Sequence, residues 1–251
     1  MNRLSAVIIA QDEARNIGRC LASLQGVVDE IIVVDSGSTD ATESICLQHG
    51  ARFVSHPWQG YAEQKNYADS LATNPWILSI DADEALSDEL RASLSQLMRR
   101  DLSADRVFSM RRLNNYCGTW IHHSGWYPDE KVRLWHNGCC SWDGLVHETL
   151  VFAQPVTTER LQGHLLHYTY YSVQDHAARQ VRYAGLAAEK AFRQGRRASC
   201  CSLWIKPFWT FLRNYLFKGG FLDGRAGFQV CKMSAFYSFL KQSRLRELMN
   251  D

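Results

Sequence analysis

Apolar residues follow two rhythms along the chain, and the change from one to the other divides it. At first, short unbroken apolar runs alternate with stretches whose apolar residues recur every three to four positions. Leu4–Ala10, rich in Val and Ile, predicts a buried strand. Ile17, Cys20, Leu21 and Leu24 then repeat at i, i+3, i+4 and i+7, the spacing of one helix face. Ile31–Val34 predicts a second strand, and a helix containing Ile45 and Leu47 follows it. Arg52–Ser55 predicts a third strand, residues 61–71 a helix, and the run from Trp76 a fourth strand. Ser87-Asp88-Glu89 opens another helix, with acids in its first turn and Arg99-Arg100 at its end, as the helix dipole favours. Leu90, Leu94, Leu97 and Met98 form its apolar stripe. Strand alternating with helix in this way predicts an α/β fold, a mostly parallel sheet with helices on both faces and right-handed crossovers.

From Arg106 the rhythm changes. Residues 107–112, 131–135 and 145–151 predict strands with no long helix between them. Trp120, His122, His123, Trp126 and Tyr127 crowd the connection. Ring faces of this kind pack on the C–H face of a sugar, and they equally suit a satellite hydrophobic cluster. A helix then starts at Ser172, with Asp175 completing a capping box. Its spacing predicts that Val173, Ala177, Val181, Ala184, Ala188 and Phe192 are buried, and Gly195 ends it.

A hydrophobic share of 46% with 22% charged residues is that of a globular chain. The net charge of +2 gives no footing for nucleic acid. Its distribution says more, because residues 198–241 hold six Lys/Arg against one Asp, and 11 of the 29 aromatics. Lys206, Arg213 and Lys218 break the apolar runs there too often for a spanning helix. That pattern suits a helix lying on an anionic membrane surface. The eight cysteines include no Cys-x-x-Cys, and the N-terminus enters a strand without a signal-peptide pattern. Free thiols in the cytosol are the expectation.

The candidate chemistry lies where strands should end. Asp81-Ala82-Asp83-Glu84 follows the fourth strand, and ligands of open α/β sheets bind outside the carboxyl ends of strands. If the strand geometry continues, Asp81 and Asp83 share a side and repel unless a cation joins them. Mg2+ or Mn2+ suits such oxygens; a solvated acidic turn is the plainer alternative. After the second strand comes Asp35-Ser36-Gly37-Ser38-Thr39-Asp40. Gly37 allows a tight turn, and Ser38, Thr39 or Asp40 can cap the next helix, but neither explains Asp35. No Gly-x-Gly-x-x-Gly is present, so the dinucleotide fingerprint is missing.

Residues 7–13 (Val-Ile-Ile-Ala-Gln-Asp-Glu), residues 32–40 ending in Asp-Ser-Gly-Ser-Thr-Asp, Gln64-Lys65-Asn66 and Asp81-Ala82-Asp83-Glu84 resemble glycosyltransferase family two, the inverting enzymes of GT-A type. Residues 128–135, Val146-His147-Glu148, His167-Tyr168 and residues 219–224 look like its branch of lipopolysaccharide inner-core β-1,4-glucosyltransferases. The chain departs from the common pattern at Gln11, where Asn is usual, and at Trp135, where Phe is usual. The resemblance implies a GT-A-type, Rossmann-like catalytic domain over 1–170, with a nucleotide-sugar half (1–104) and an acceptor half (105–170). A helical amphipathic extension, 171–251, follows. It implies a UDP-sugar donor, glucose being the branch's suggestion, and a lipid-linked saccharide acceptor such as the inner-core heptose. Ala10, Glu13 and Asp35 would hold the nucleoside, with Asp35 accepting from the uracil N3–H. Lys65 would meet base or phosphates, and Asp81 with Ala82 the ribose. Asp83 and Asp81 would hold the metal. His167 would be a third ligand, set against a purely structural histidine. Glu148 would be the general base, with Asp129 its competitor; a structural partnership with Arg133 or Arg111 is the other reading of Glu148. The implied location is the cytoplasmic face of the inner membrane. Three other readings stand beside this one: another family-two transferase of cell-surface polysaccharide assembly, a non-catalytic sugar-nucleotide or membrane-docking module, and a haloacid-dehalogenase-type phosphatase. The last should carry Asp-x-Asp on its first strand.

Overall fold

The computed structural model describes residues 2–144 and 149–250. Two compact units divide the chain, residues 1–112 with 129–167, and residues 113–128 with 168–251.

In the first unit the predicted alternation is present: β1 (Leu4–Ala10), α1 (Ile17–Leu24), β2 (Glu30–Asp35), α2 (Thr42–Gln48), β3 (Arg52–Ser55), α3 (Tyr61–Ser70) and β4 (Trp76–Ser79). A short β5 (Glu84–Leu86) and α4 (Asp88–Leu97) follow. The later strands are β6 (Arg106–Tyr116), β7 (Thr119–Ile121), β8 (Asp129–His136), β9 (Cys140–Asp143), β10 (Thr149–Phe152) and β11 (Thr157–Tyr170). The main sheet runs β3-β2-β1-β4-β8-β6-β11-β5, with β7 paired to β6, and β9 and β10 form a separate hairpin. Pairing is parallel from β3 through β4, then antiparallel where β8 meets β4 and β6 and where β11 meets β5.

Alternation along the strands explains why helices cover both faces. On β1, Leu4, Ala6, Ile8 and Ala10 join one core with Leu21 and Leu24 of α1 and Leu90, Leu94 and Leu97 of α4. Val7 turns the other way, into a second core with Ile32, Val34, Ala68 of α3, Trp135 and Trp142. Each fully buried Leu or Ile contributes roughly 1.5–3 kcal/mol, so a strand buried on both faces is anchored twice. Helix α4 begins as its sequence suggests, with Ser87 Oγ accepting from the Leu90 N–H at 3.2 Å.

The second unit holds α5 (Val173–Arg193), α6 (Cys200–Leu212), a π-helical turn (Arg213–Phe217), a 3-10 turn (Gly220–Asp223) and α7 (Gly224–Asn250). Ser172 caps α5, accepting from the Asp175 N–H at 3.0 Å. The buried stripe of α5 matches its apolar spacing only at Ala184 and Ala188. His176, Ala184, Ala188 and Ala191 are buried, whereas Val173, Val181 and Phe192 stand 43%, 55% and 41% exposed. The reason is the partner. Helix α5 lies along α7, and Ala188, Ala191 and Ala198 close on Leu245. Alanines let helices approach closely, and the bulkier side chains fall outside so narrow a stripe.

Helix α6 buries none of its residues, and Trp204 (76%), Ile205 (62%), Phe208 (66%) and Trp209 (51%) are exposed along it. No helix among the described residues is long and apolar enough to cross a membrane. All eight cysteines are free.

Candidate active site

The loops after β1 and β2 are built as a pair. Ala10 and Asp35 are register partners at the ends of these parallel strands. Asp35 is almost fully buried. Its Oδ2 accepts from the backbone N–H groups of Gly37 and Ser38 at 2.8 and 2.7 Å, and its Oδ1 from the Ser38 hydroxyl at 2.5 Å. A carboxylate offers about four acceptor positions, so three bonds to its own loop leave room for one more donor. Ser38 Oγ accepts from the Asp12 N–H at 2.7 Å, and Asp12 Oδ1 accepts from the Thr39 N–H at 2.7 Å. Asp12 adopts a left-handed φ of 53°, which short polar side chains tolerate by bonding locally in this way. Asp40 accepts from the Ala14 and Thr42 N–H groups, joining the second loop to the first and to the start of α2. Glu13 donates its N–H to Thr42 Oγ1 and accepts from the Asn16 amide.

Helix α3 is tied to three different elements by three consecutive side chains. Gln64 donates to Ser36 Oγ at 3.0 Å, in the loop after β2. Lys65, 5% exposed at its side chain, pairs with Asp81 Oδ1 at 3.1 Å and lies over the Trp142 ring at 4.5 Å. Asn66 exchanges two hydrogen bonds with the Trp142 backbone, at 2.8 and 2.9 Å. One turn further on, burial pushes the Asp69 carboxyl up to about 7 against the opposing pull of Trp142 and Lys65.

The acidic motif begins after its strand has ended. Strand β4 stops at Ser79, so strand alternation does not orient Asp81 and Asp83, and the two face different partners. Asp81 accepts from Lys65 and, through Oδ2, from Arg133 at 2.5 Å. Burial opposes its charge, but Arg133 and Lys65 outweigh that and hold the carboxyl far below the ordinary carboxylate range. Glu84 is fully buried and structural. Its Oε2 accepts from the Asp81 N–H at 3.0 Å, and its Oε1 meets Arg133 at 2.9 Å and Arg112 at 3.5 Å. Asp83 Oδ2 lies 3.2 Å from His167 Nε2. The pairing of β5 with β11, in which His167 stands opposite Glu84, delivers that contact. Ala82, between the two aspartates, is buried.

A carboxylate oxygen and an imidazole nitrogen side by side fit a divalent cation as two ligands of an incomplete set, Mn2+ accepting the nitrogen more readily than Mg2+. Among the described residues no group of three His, Cys, Asp or Glu is placed to hold an ion. The remaining positions would fall to water and to phosphate oxygens, which is how such ions are usually held in phosphate chemistry.

Asp129 is engaged by Arg112 at 2.7 Å and Lys131 at 3.1 Å. Glu148 lies outside the described residues. Sequence reasoning does not single out Arg112 or Trp142 for this site; it has Asp12 only within a motif, and Arg133 only within a motif and beside Glu148. The signal available for Arg133 was a lone cation in an otherwise apolar strand segment, Val132 to Trp135, which must find a buried acid.

The family model described as "Glycosyl transferase family 2" matches residues 5–151, and the chain belongs to that family. It has the GT-A-type α/β fold with a helical C-terminal extension. It is 32% identical to a protein named an uncharacterized glycosyltransferase from Rickettsia felis, over 98% of this chain and 90% of that one. It is 31% identical to the lipopolysaccharide core biosynthesis glycosyltransferase LpsC of Rhizobium meliloti, over 96% of this chain and 91% of that one. Among solved structures it is similar to glucosyl-3-phosphoglycerate synthase from Mycobacterium tuberculosis in complex with Mn2+, UDP and glucosyl-3-phosphoglycerate. There the identity is 26% and the TM-score 0.35, over 45% of this chain and 44% of that one. Family membership removes the phosphatase reading, as does the position of Asp-x-Asp after the fourth strand.

Proposed function

We propose that this chain is an inverting hexosyltransferase that moves a sugar, glucose in the first instance, from a UDP donor to a hydroxyl of a lipid-linked saccharide. The process we assign is assembly of the lipopolysaccharide core, on the cytoplasmic face of the inner membrane. The observation that carries the reading is the gathering of Asp35, Lys65, Asp81 and the Asp83–His167 pair at the carboxyl ends of β2 and β4.

Each group has a task in that reaction. Asp35, pinned by its own loop, keeps an acceptor position for the uracil N3–H, while Ala10 and Glu13 border the nucleoside. Lys65 and Arg133 keep Asp81 ionised and fixed, so that beside Ala82 it accepts from the ribose hydroxyls. A divalent ion held by Asp83 and His167 would supply positive charge to the leaving diphosphate. Glu148 takes the proton of the acceptor hydroxyl; the ion pairs already made by Asp129 favour Glu148 over it. The exposed rings of α6 rest in the headgroup boundary, with Lys206 and Arg213 contributing about 1 kcal/mol each at anionic lipid, while Lys218 crosses Gly125 instead.

The test is nucleotide release and thermal protection with a panel of UDP-sugars, with and without Mn2+. UDP-glucose at 100 times its dissociation constant should add about 2.7 kcal/mol of stability. Asp83→Ala should fold normally and lose about a hundredfold or more in turnover. Full turnover of Asp83→Ala in the presence of a chelator removes the metal role.

A further inference from the structure

The aromatic loop of the second unit serves two purposes. Trp126 turns inward and packs with Tyr116, Ile121, Tyr170 and Val230. His122, His123 and Tyr127 instead line a pocket of about 370 Å³ with Gly125, Pro128 and Lys218. The pocket is held open by a buried acid. Asp223, its side chain 3% exposed, accepts from the backbone N–H groups of His122 and His123 at 3.1 and 2.9 Å. Its Oδ1 also lies 2.9 Å from His123 Nδ1. An ionised carboxylate only accepts, so the proton of that bond belongs to Nδ1, and Nε2 is the ring nitrogen left for a ligand.

The glycines around the pocket fit it closely. The Lys218 side chain crosses Gly125 so tightly that a Cβ there would lie 2.8 Å from both Cδ and Nζ. The Ser124 N–H donates to the Lys218 carbonyl at 3.0 Å, fixing the start of that crossing. A Cβ on Gly220 would lie 2.6 Å from Cys231 Sγ and 3.0 Å from Ser124 Oγ. Burying a carboxylate is costly unless it is fully hydrogen-bonded, and here those bonds go to the loop that lines the pocket.

We propose that this pocket binds an acidic sugar unit, a pyranose bearing a phosphate or carboxylate. The His122 and Tyr127 rings, 5.9 Å apart and inclined at 65°, form with Pro128 an apolar wall for the C–H face of the ring. Lys218 Nζ and His123 Nε2 take the anion and a neighbouring hydroxyl. The assignment rests on the proposed saccharide acceptor and names an acidic residue as part of it.

The test is direct binding, without donor, of mannose 6-phosphate, glucuronate, mannose and inorganic phosphate, followed by calorimetry or ligand-observed NMR. The wild type should bind at least one of the acidic sugars saturably, with a dissociation constant of about 1 mM or tighter. Mannose and inorganic phosphate should bind at least about tenfold more weakly, since each offers half of the recognition. Lys218→Met removes the charge and keeps the stem. His123→Asn lets an amide donate to Asp223 while Nε2 disappears. Both should weaken the acidic sugar about tenfold or more, with circular dichroism and melting unchanged. Gly125→Ala, which displaces Lys218, should act in the same direction. Equal affinity for mannose and its phosphate, or variants that bind as the wild type does, overturns the proposal. If inorganic phosphate binds as tightly as the sugar phosphate, and anionic vesicles displace both, the occupant is a lipid headgroup and the sugar assignment is wrong. Failure to bind UDP-glucose would remove the donor reading and leave these measurements as they stand.

Discussion

The two units treat polar and apolar groups in opposite ways. In the first, charge is taken inside and neutralised: Arg133 and Glu84 are buried, and Lys65 with them, around a carboxylate that both cations reach. In the second, the buried His176 is neutral, the buried Asp223 carboxylate is met by backbone N–H groups and a histidine rather than by Lys or Arg, and large rings are left outside. Burial, with a smaller push from Arg179, lowers His176 to about 4, while Trp204, Phe208 and Phe217 stand in solvent. A buried ion pair gives little net stability but punishes the loss of one partner. An exposed aromatic contributes little to stability and is available for contact with something else. The difference marks where each unit can be altered without unfolding it.

The sharpest way to break the comparison is Arg133→Met. It strips Asp81 and Glu84 of their shared cation and should cost about 3–5 kcal/mol in denaturant unfolding. A loss below about 1 kcal/mol would mean that the network is solvated and unimportant to folding.

Next in size is Glu148→Gln, which keeps shape and loses basicity. Turnover should fall roughly a hundredfold, a barrier increase of about 2.7 kcal/mol, with donor affinity unchanged. Near-normal turnover in Glu148→Gln, with Asp129→Asn inactive, would transfer the role to Asp129.

A third test uses acid. The folded value of His176 lies below that of the unfolded chain, so the folded state holds fewer protons between the two. Its contribution is complete above about pH 6.5 and is lost as pH falls towards 4. Asp69, raised to about 7, gains stability over the same range, so the His176 contribution is read as a difference: from pH 7.5 to 5 the wild type should lose about 1–2 kcal/mol of unfolding free energy relative to His176→Asn. Parallel pH profiles for the two proteins assign the acid sensitivity elsewhere.

The smallest effect on stability, about 0.5 kcal/mol or less, should come from Trp204→Ser combined with Phe208→Ser. The same pair should abolish sedimentation with anionic vesicles at low salt. Wild-type protein left in the supernatant under those conditions would refute membrane docking.

Much of this was legible in the sequence, and unevenly so. Strands β1, β2 and β4 announce themselves because both faces are buried, which leaves nearly continuous apolar runs. Asp35 and Asp81 stood out because a polar residue at the end of such a run has no packing reason to be there. Strand β11 gave no signal, since Glu159, Arg160, His164 and His167 interrupt it, and only pairing makes it a strand. The contact of His167 with Asp83 depends on that pairing; the resemblance alone had brought the two together. The stripe of α5 departs from its apolar spacing at Val173, Val181 and Phe192 because that spacing measures hydrophobicity, whereas close helix packing selects small size.

Strand β8 lies between β4 and β6 although the chain makes it after both. A ribosome adds about 5–20 residues per second, so β6 emerges before the neighbour that must separate it from β4. Until residues 129–136 appear, β4 is a border strand with one row of backbone groups unpaired, and the acidic motif hangs from that unfinished border. Arg133 travels on the late strand. The step of synthesis that completes the hydrogen bonding of β4 also brings Asp81 its second counterion.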